Sequence, residues 1–290
     1  MSSAPLPPFE LESLVTAALK EDAPHGDVTT RVLLEPSLQA QAHVVAKQNL
    51  TLAGVAVLHT VYRVLDPAVV VTSTFDDGAT LEAGQTFATL QGPTHSILGG
   101  ERVALNFLQR LSGIATLTAR FKAEIRQYPT VLTDTRKTIP GLRRLEKWAV
   151  ALGGGTNHRM TLSDGVLIKD NHLVLLEAQG TTIREACRKA REQVSRQFRI
   201  CVEVENLKQV VEALDGGADM LLLDNMPPAL VQEAVDLVKG KAHVEVSGGI
   251  TLENVREYAA TGVDSISIGA LTHSAPAVDI SLDVLPTSAQ

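Results

Sequence analysis

The sequence predicts an α/β protein whose second half is a β/α barrel. Three observations predict it. After Gln127 the chain alternates strand-like runs, loops and helical patterns, and units of this length imply parallel strands joined by right-handed crossovers. No GxGxxG follows the first of these strands, so a dinucleotide-binding layout is unsupported. The strand ends also carry chemically distinct residues, as expected where functional side chains gather at one mouth of a barrel.

The elements follow in order. Leu11, Leu14, Val15 and Ala18 have helical spacing and predict a helix from Phe9 to Lys20, with a polar turn, EDAPHGDVTT, after it. From His43 to Leu90 short β-like runs are punctuated by Asp76, Asp77, Gly78 and Gly84, which predicts a small sheet with hairpins beside a few helices. Val103, Phe107, Leu111 and Ile114 share one face of a long amphipathic helix, a natural bridge between domains. Strands are then expected at 130–134, 165–168, 199–204, 220–223, 243–246 and 265–268. Helices are expected between them at 141–152, 182–197, 208–214, 228–239 and 252–260.

Composition narrows the function classes. The 290 residues are 44% hydrophobic but only 3% aromatic, so the core is built mainly from Ala, Val, Leu and Ile. A net charge of −7 argues against a general nucleic-acid or membrane-surface binder, while leaving room for a local basic pocket. Two cysteines, Cys187 and Cys201, are too few for a disulfide framework or a cysteine zinc site and are expected to be structural. The N-terminal MSSAPLPPFELESL lacks the pattern of a secretory signal. No segment approaches the ~18 uninterrupted apolar residues of a membrane span. The expected location is therefore cytoplasmic.

The strand ends fall into three groups. Cations come first: Thr135, Arg136 and Lys137 follow one strand, Lys169 another, and His158 and Arg159 lie in the loop between. Arg suits bidentate carboxylate binding and Lys a point charge near phosphate, so this cluster on an acidic protein implies a polyanionic ligand. Acids come next. Glu205 and Asp224 end successive strands and suit Mg²⁺, which takes a couple of protein oxygens plus phosphate and water, although salt bridges to nearby cations account for such a pair equally well. Glu203 faces the same side of its strand as Glu205, but Glu205 lies nearer the strand end. Glycines come last: Ser247, Gly248 and Gly249, then Ile268, Gly269 and Ala270, where backbone N–H groups can approach a phosphate. Arg143, Arg144 and Lys147 fall inside a helical stretch and are expected to form an ordinary solvated face. His25, His43, His59, His95 and His243 receive no role, and His273 only a weak one beside the SIGA turn.

The segment TDTRKTIPGLRRLEKWAVALGGGTNHRMTLSDGVLIKDNH resembles the central signature of the quinolinate phosphoribosyltransferases. EDAPHGDVTT, GERVALNFLQRLSGIAT, CVEVEN, LLLDNM, VEVSGGIT and SIGALTHSAPAVDISL are similar to further blocks of that family, in its order, over nearly the whole chain. The resemblance implies an N-terminal α/β sandwich over 1–114, rejoined by a C-terminal strand over about 276–290, and an incomplete, roughly seven-stranded β/α barrel over 115–275. Arg136, Arg159 and Lys169 would hold the quinolinate carboxylates, with Thr135, His158 and Lys137 close by. Arg102 would reach the site from a neighbouring subunit, which makes a homodimer the minimal active unit and leaves dimer and hexamer both open. Glu205 and Asp224 would serve the ribose and Mg²⁺, directly or through water. Ser247, Gly248, Gly249, Ile268, Gly269 and Ala270 would bind the 5-phosphate of phosphoribosyl pyrophosphate. Ile139 and Trp148 depart from the usual Thr and Tyr, at positions that touch no ligand in the family.

The implied reaction joins quinolinate to phosphoribosyl pyrophosphate with loss of CO₂ and pyrophosphate, giving nicotinate mononucleotide for NAD biosynthesis. Lys137, Glu205 and Asp224 would be its catalytic residues, and Mg²⁺ its cofactor. The alternatives are a related transferase acting on a different anionic acceptor, or a non-catalytic phosphoribosyl-binding protein. Retention of Lys137, Glu205, Asp224 and every cation suited to two carboxylates speaks against both.

Overall fold

The computed structural model describes residues 6–285. Residues 1–5 and 286–290, which belong to the expected sandwich domain and include the start of MSSAPLPPFELESL, lie outside the described residues. The first part of the chain forms α1 (Pro8–Asp22), α2 (Val28–Leu33), β1 (Gln39–Ala46), β2 (Leu50–Thr51), α3 (Val55–Leu65), β3 (Val70–Ser73), β4 (Thr80–Leu81), β5 (Thr86–Pro93) and α4 (Thr94–Glu124). Then come β6 (Val131–Thr133), α5 (Arg143–Leu152), β7 (Val166–Ile168), α6 (Asp170–Glu177), α7 (Ile183–Gln193), β8 (Ile200–Val204), α8 (Leu207–Asp215) and β9 (Met220–Asp224). The last elements are α9 (Pro228–Val238), β10 (His243–Ser247), α10 (Val255–Ala260), β11 (Ser265–Ser267), α11 (Ala270–His273) and β12 (Ile280–Leu285). Among the described residues no helix is long and apolar enough to cross a membrane.

Contacts divide the chain into two units. One comprises the chain up to Ala119, 140–153 and the chain from Ser274; the other comprises Arg120–Ile139 and Gly154–His273. In the first, an antiparallel sheet runs in the order β12-β1-β5-β3. The DISLDV run forms β12 and pairs with β1 from Gln41↔Leu285 to Ala46↔Ile280. The alternation along β1 buries Ala40, Ala42, Val44 and Ala46 on one face. Part of the polar turn expected at EDAPHGDVTT is helical. The Asp27 carboxylate accepts the Thr29 and Thr30 N–H groups at 2.9 and 3.3 Å, which caps and starts α2.

The solvated face expected on α5 is a correction. Lys147 and Glu146 are both 0% exposed, and the Arg110 guanidinium donates to Glu146 at 2.8 and 3.1 Å. Opposite charges buried together hold one another in an interior that would reject either alone. Only Arg144 behaves as a surface group, paired with Glu10.

In the second unit six parallel strands run in the order β6-β11-β10-β9-β8-β7. A single bridge between Thr133 and Thr156 extends the array beyond β6, so six strands and one bridging residue stand where about seven strands were expected. Successive residues point to opposite faces of a strand. One face carries Leu132, Val202, Val204, Leu221, Leu223, Val244, Val246, Ile266 and Ile268, all buried where the helices cover the sheet. The other face carries Leu167, Glu203, Leu222, Glu245 and Ser267, one from each of five strands, and these line a single cavity together with Thr135 beyond β6. Six strands can share one cavity only if the sheet curls, which makes this unit an incomplete β/α barrel with a polar interior at its C-terminal end.

Candidate active site

The cavity at the strands' C-terminal ends has a volume of about 390 Å³. Its cationic wall is Arg136, Lys137, Arg159 and Lys169, with His158 beside them. The loop after β6 is held by two threonine hydroxyls: the Lys137 N–H donates to Thr135 Oγ1 at 3.0 Å, and Thr272 Oγ1 donates to the Lys137 carbonyl at 2.7 Å. Arg136 Nε is buried and makes no hydrogen bond. Burial, then the like charge of Arg136, holds the Arg159 pKa below its ordinary value. An unmatched guanidinium N–H beside a second guanidinium is costly unless an anion sits between them.

The loop before β7 is pinned by buried Asp134. It accepts from Asn157 Nδ2 at 2.8 Å and from the His158 N–H at 2.9 Å. His158 Nδ1 accepts the Arg159 N–H at 2.8 Å, so a neutral ring carries its hydrogen on Nε2. That nitrogen lies 3.5 Å from Glu245 Oε1. Arg159 Nη1 donates to the Gly165 carbonyl at 3.1 Å, which orients its guanidinium. Lys169 stands directly before α6, a helix that begins where a strand-end loop was expected. Its N–H donates to His172 Nδ1 at 2.9 Å.

Across the cavity stand Glu203, Asp224 and Glu245. Burial and the neighbouring Asp224 charge raise the Glu203 pKa, while Lys169 pulls it down. Asn225 Nδ2 donates to Asp224 at 2.7 Å. Glu205 lies one residue beyond β8, exposed and outside the cavity lining, while Glu203 lines it. Among the described residues no cluster of three or more His, Cys, Asp or Glu is placed to hold a metal by itself.

The glycine turns follow β10 and β11. Ser247 lines the cavity; Gly248 and Gly249, just beyond, have φ of +92° and +63°. A Cβ on Gly248 would fall 2.2 Å from Asn225 Oδ1, so only glycine lets the two turns approach. At Gly269 a Cβ would meet Lys137 Cδ at 2.8 Å. Ile268 is buried, its N–H bonded to the Thr133 carbonyl at 3.0 Å, and Ala270 opens α11. Arg102 belongs to the other unit, on α4, with its guanidinium 3.9 Å from Glu101.

The inward positions Leu167, Leu222, Glu245 and Ser267 escape a reading of strand ends. Alternation was the available signal: Glu245 lies two residues before Ser247, so it shares the inward face. Cys187 and Cys201 are free and buried, and burial raises both thiol pKa values, that of Cys187 to about 11.

A curled parallel sheet with cations, carboxylates and glycine turns at its C-terminal mouth defines a polyanion-binding β/α barrel. Comparison with known proteins sharpens the class. Residues 27–112 match the family described as quinolinate phosphoribosyl transferase, N-terminal domain, and residues 114–283 match the corresponding C-terminal domain. The chain belongs to the quinolinate phosphoribosyltransferase family. It is 42% identical over 276 residues to the probable nicotinate-nucleotide pyrophosphorylase (carboxylating) of Bacillus subtilis, covering 95% of this chain and 94% of the relative. The solved nicotinate-nucleotide pyrophosphorylase of Francisella tularensis superposes with a TM-score of 0.91 at 38% identity, over 97% of this chain and 98% of that one. The Ehrlichia chaffeensis protein of the same name superposes at 0.88 and 38%, over 94% and 98%.

Proposed function

We infer that this chain transfers the phosphoribosyl group of phosphoribosyl pyrophosphate to quinolinate with loss of CO₂, giving nicotinate mononucleotide and pyrophosphate in NAD biosynthesis. The observation that carries this reading is the Arg136–Arg159 pair, one with an unmatched buried N–H and the other held below its ordinary pKa by its surroundings. Two adjacent carboxylates on a flat ring answer that arrangement, with Lys169, Thr135 and His158 around them. Leu167 and Leu222 offer apolar surface to the ring faces.

Lys137 would neutralise the departing pyrophosphate. Ser247, the N–H groups of Gly248 and Gly249, and the turn through Ile268, Gly269 and Ala270 would hold the 5-phosphate. The carboxylates of Asp224 and Glu203, with Glu205 at the rim, would stabilise positive charge developing on the ribose. The same acids suit Mg²⁺: Glu203 and Asp224 face each other closely enough for repulsion to be felt, which a cation relieves. When bound, Mg²⁺ supplies charge neutralisation of the diphosphate. Attack of the pyridine nitrogen then leaves a cationic ring, and that charge stabilises the electron pair remaining as the 2-carboxylate departs.

Arg102 of a second subunit would complete the carboxylate site, making a homodimer the smallest active form, working in the cytoplasm. At quinolinate concentrations too low for either variant to turn over, mixing Arg102→Ala and Lys169→Ala proteins should then restore activity through hybrid dimers; none restored places Arg102 outside the neighbour's site. The decisive assay supplies protein, Mg²⁺ and phosphoribosyl pyrophosphate with quinolinate or nicotinate. Matched CO₂ and mononucleotide from quinolinate, with little product from nicotinate, is the expected result. No turnover of quinolinate by folded protein overturns the reading.

A further inference from the structure

The proposed reaction has a requirement that the cationic wall does not meet. When the 2-carboxylate leaves as CO₂, the C–C electron pair stays on the ring carbon, and one proton must replace the lost group. Of the cations there, the two guanidinium groups do not deprotonate, and Lys137 and Lys169 are engaged with the pyrophosphate and a carboxylate in the reading above. Two carboxyl groups lining the cavity are pushed toward the protonated form; Glu203 is engaged with Asp224 and Lys169, which leaves Glu245 as the acid. Glu245 is 1% exposed, lies on the cavity side of β10, and its Oε1 accepts no hydrogen bond. Its register neighbour on β9 is Leu222, so it stands at the level where the apolar wall meets the polar floor.

The other oxygen leads away from the cavity. Ser265 Oγ donates to Glu245 Oε2 at 3.0 Å. A hydroxyl has one hydrogen, so the contact between Ser265 Oγ and His243 Nε2, 2.7 Å long, must run with the imidazole N–H donating. His243 is half-buried at the N-terminal end of β10, and its Nδ1 lies 3.9 Å from Asp264. His243 and Asp264 both line an open depression at that end of the strands. A continuous series His243 → Ser265 → Glu245, with its donor direction set, therefore crosses the barrel from this depression to the cavity.

We propose that Glu245 gives the ring carbon vacated by CO₂ its new proton, and that His243 and Ser265 return a proton to Glu245 from the opposite end of the barrel. The proposal rests on the functional reading above. In the step, the ring carbon–carboxylate bond breaks and CO₂ departs. As that bond breaks, in the same step, the pair left on carbon takes the proton from Glu245 Oε1, so loss of CO₂ depends on the acid; the resulting carboxylate is then reprotonated through Ser265 Oγ from His243 Nε2. As Nε2 gives up its proton, His243 takes one from solvent on Nδ1, on the side facing Asp264, so the ring stays neutral. Burial raises the Glu245 pKa to about 6, which keeps a protonated fraction near neutral pH. The groups facing Glu245 are Asp134 beyond β6, His158 before β7, Cys201 on β8, and Ser265 and Ser267 on β11. Asp134 adds to the rise, whereas the two serine hydroxyls oppose it.

The test is a single-turnover experiment on the full protein with Mg²⁺, phosphoribosyl pyrophosphate and quinolinate, following pyrophosphate and CO₂ together. Wild type should release the two in step. Glu245→Gln keeps the shape and removes the acid: pyrophosphate should appear at close to the wild-type rate while CO₂ lags by ~100-fold, a typical general-acid contribution. Ser265→Ala, which cuts the return path and leaves Glu245 in place, should spare the first turnover and slow later ones. If CO₂ keeps pace with pyrophosphate in folded Glu245→Gln, the proposal falls. Equal slowing of both products also overturns it, because Glu245 would then act before decarboxylation. If Glu245→Gln does not fold, Ser265→Ala decides, and unchanged steady-state turnover there refutes the return path. A wild-type protein that never releases CO₂ from quinolinate refutes the functional reading itself.

Discussion

The two ends of the barrel are both rich in charge, and they differ in how that charge is satisfied. At the N-terminal ends, Asp219 pairs with Arg191 and also accepts the Ile200 N–H at 2.7 Å. Asp264 accepts the Val244 N–H at 2.7 Å, and Arg184 meets Asp215 at 2.5 Å. At the C-terminal ends like faces like: Arg136 beside Arg159, and Glu203 beside Asp224. The first arrangement holds the fold together. In the second, like charges oppose one another, the arrangement expected where a ligand of opposite charge binds.

Substitutions at the two ends should therefore separate affinity from stability. The largest effect is expected for Arg136→Ala and Lys169→Ala. Loss of one charge-assisted contact to a substrate carboxylate costs about 2–4 kcal/mol, so the quinolinate KM should rise roughly tens- to hundreds-fold while Tm holds or climbs slightly. A large fall in Tm for Arg136→Ala would make the cationic wall structural and collapse the contrast.

Glu245 sharpens the comparison through pH. Its folded pKa is raised above the unfolded value of 4.5 to about 6, so its contribution is fully present below 4.5 and is lost as pH rises through 6. Wild type should lose about 2 kcal/mol of stability across that window relative to Glu245→Gln. Denaturation midpoints of the two proteins at pH 4.5 and pH 7 measure this, and parallel curves would remove Glu245 from the cause.

At the other end, Asp219→Ala leaves the Ile200 N–H unmatched and Arg191 with only its bond to the Phe198 carbonyl. It should lower stability by about 1–2 kcal/mol with kcat/KM unchanged for both substrates. A drop in kcat/KM at constant Tm would place Asp219 in catalysis. The smallest effect belongs to Arg184→Gln, whose half-exposed pair with Asp215 is worth under about 0.5 kcal/mol. A larger loss in a urea titration would show that surface pairs at this end act as a network.

What the sequence alone determined is local. Alternating strand and helix patterns announced the parallel β/α region, because the periods of strands and helices are written in neighbouring residues. The cations at Arg136, Lys137 and Lys169, the acid at Asp224 and the turn at Gly248 and Gly249 were legible because each directly follows a run of strand residues. Tertiary structure decided the rest. Glu245 looked like a polar residue within HVEV, and His243 like a histidine without a role. The pairing of β10 with β11 puts Ser265 beside Glu245 and within reach of His243, and the tertiary fold brings His158 within 3.5 Å of Glu245. Glu203 and Glu205 share one face of a strand, and the wall of the cavity, not spacing, distinguishes the lining residue from the exposed one. Lys147 sits in a stretch patterned like a solvated helix, yet it is fully buried, as is its neighbour Glu146, which pairs with Arg110. Burial of a charge depends on partners distant in sequence, and periodicity within one element carries no record of them.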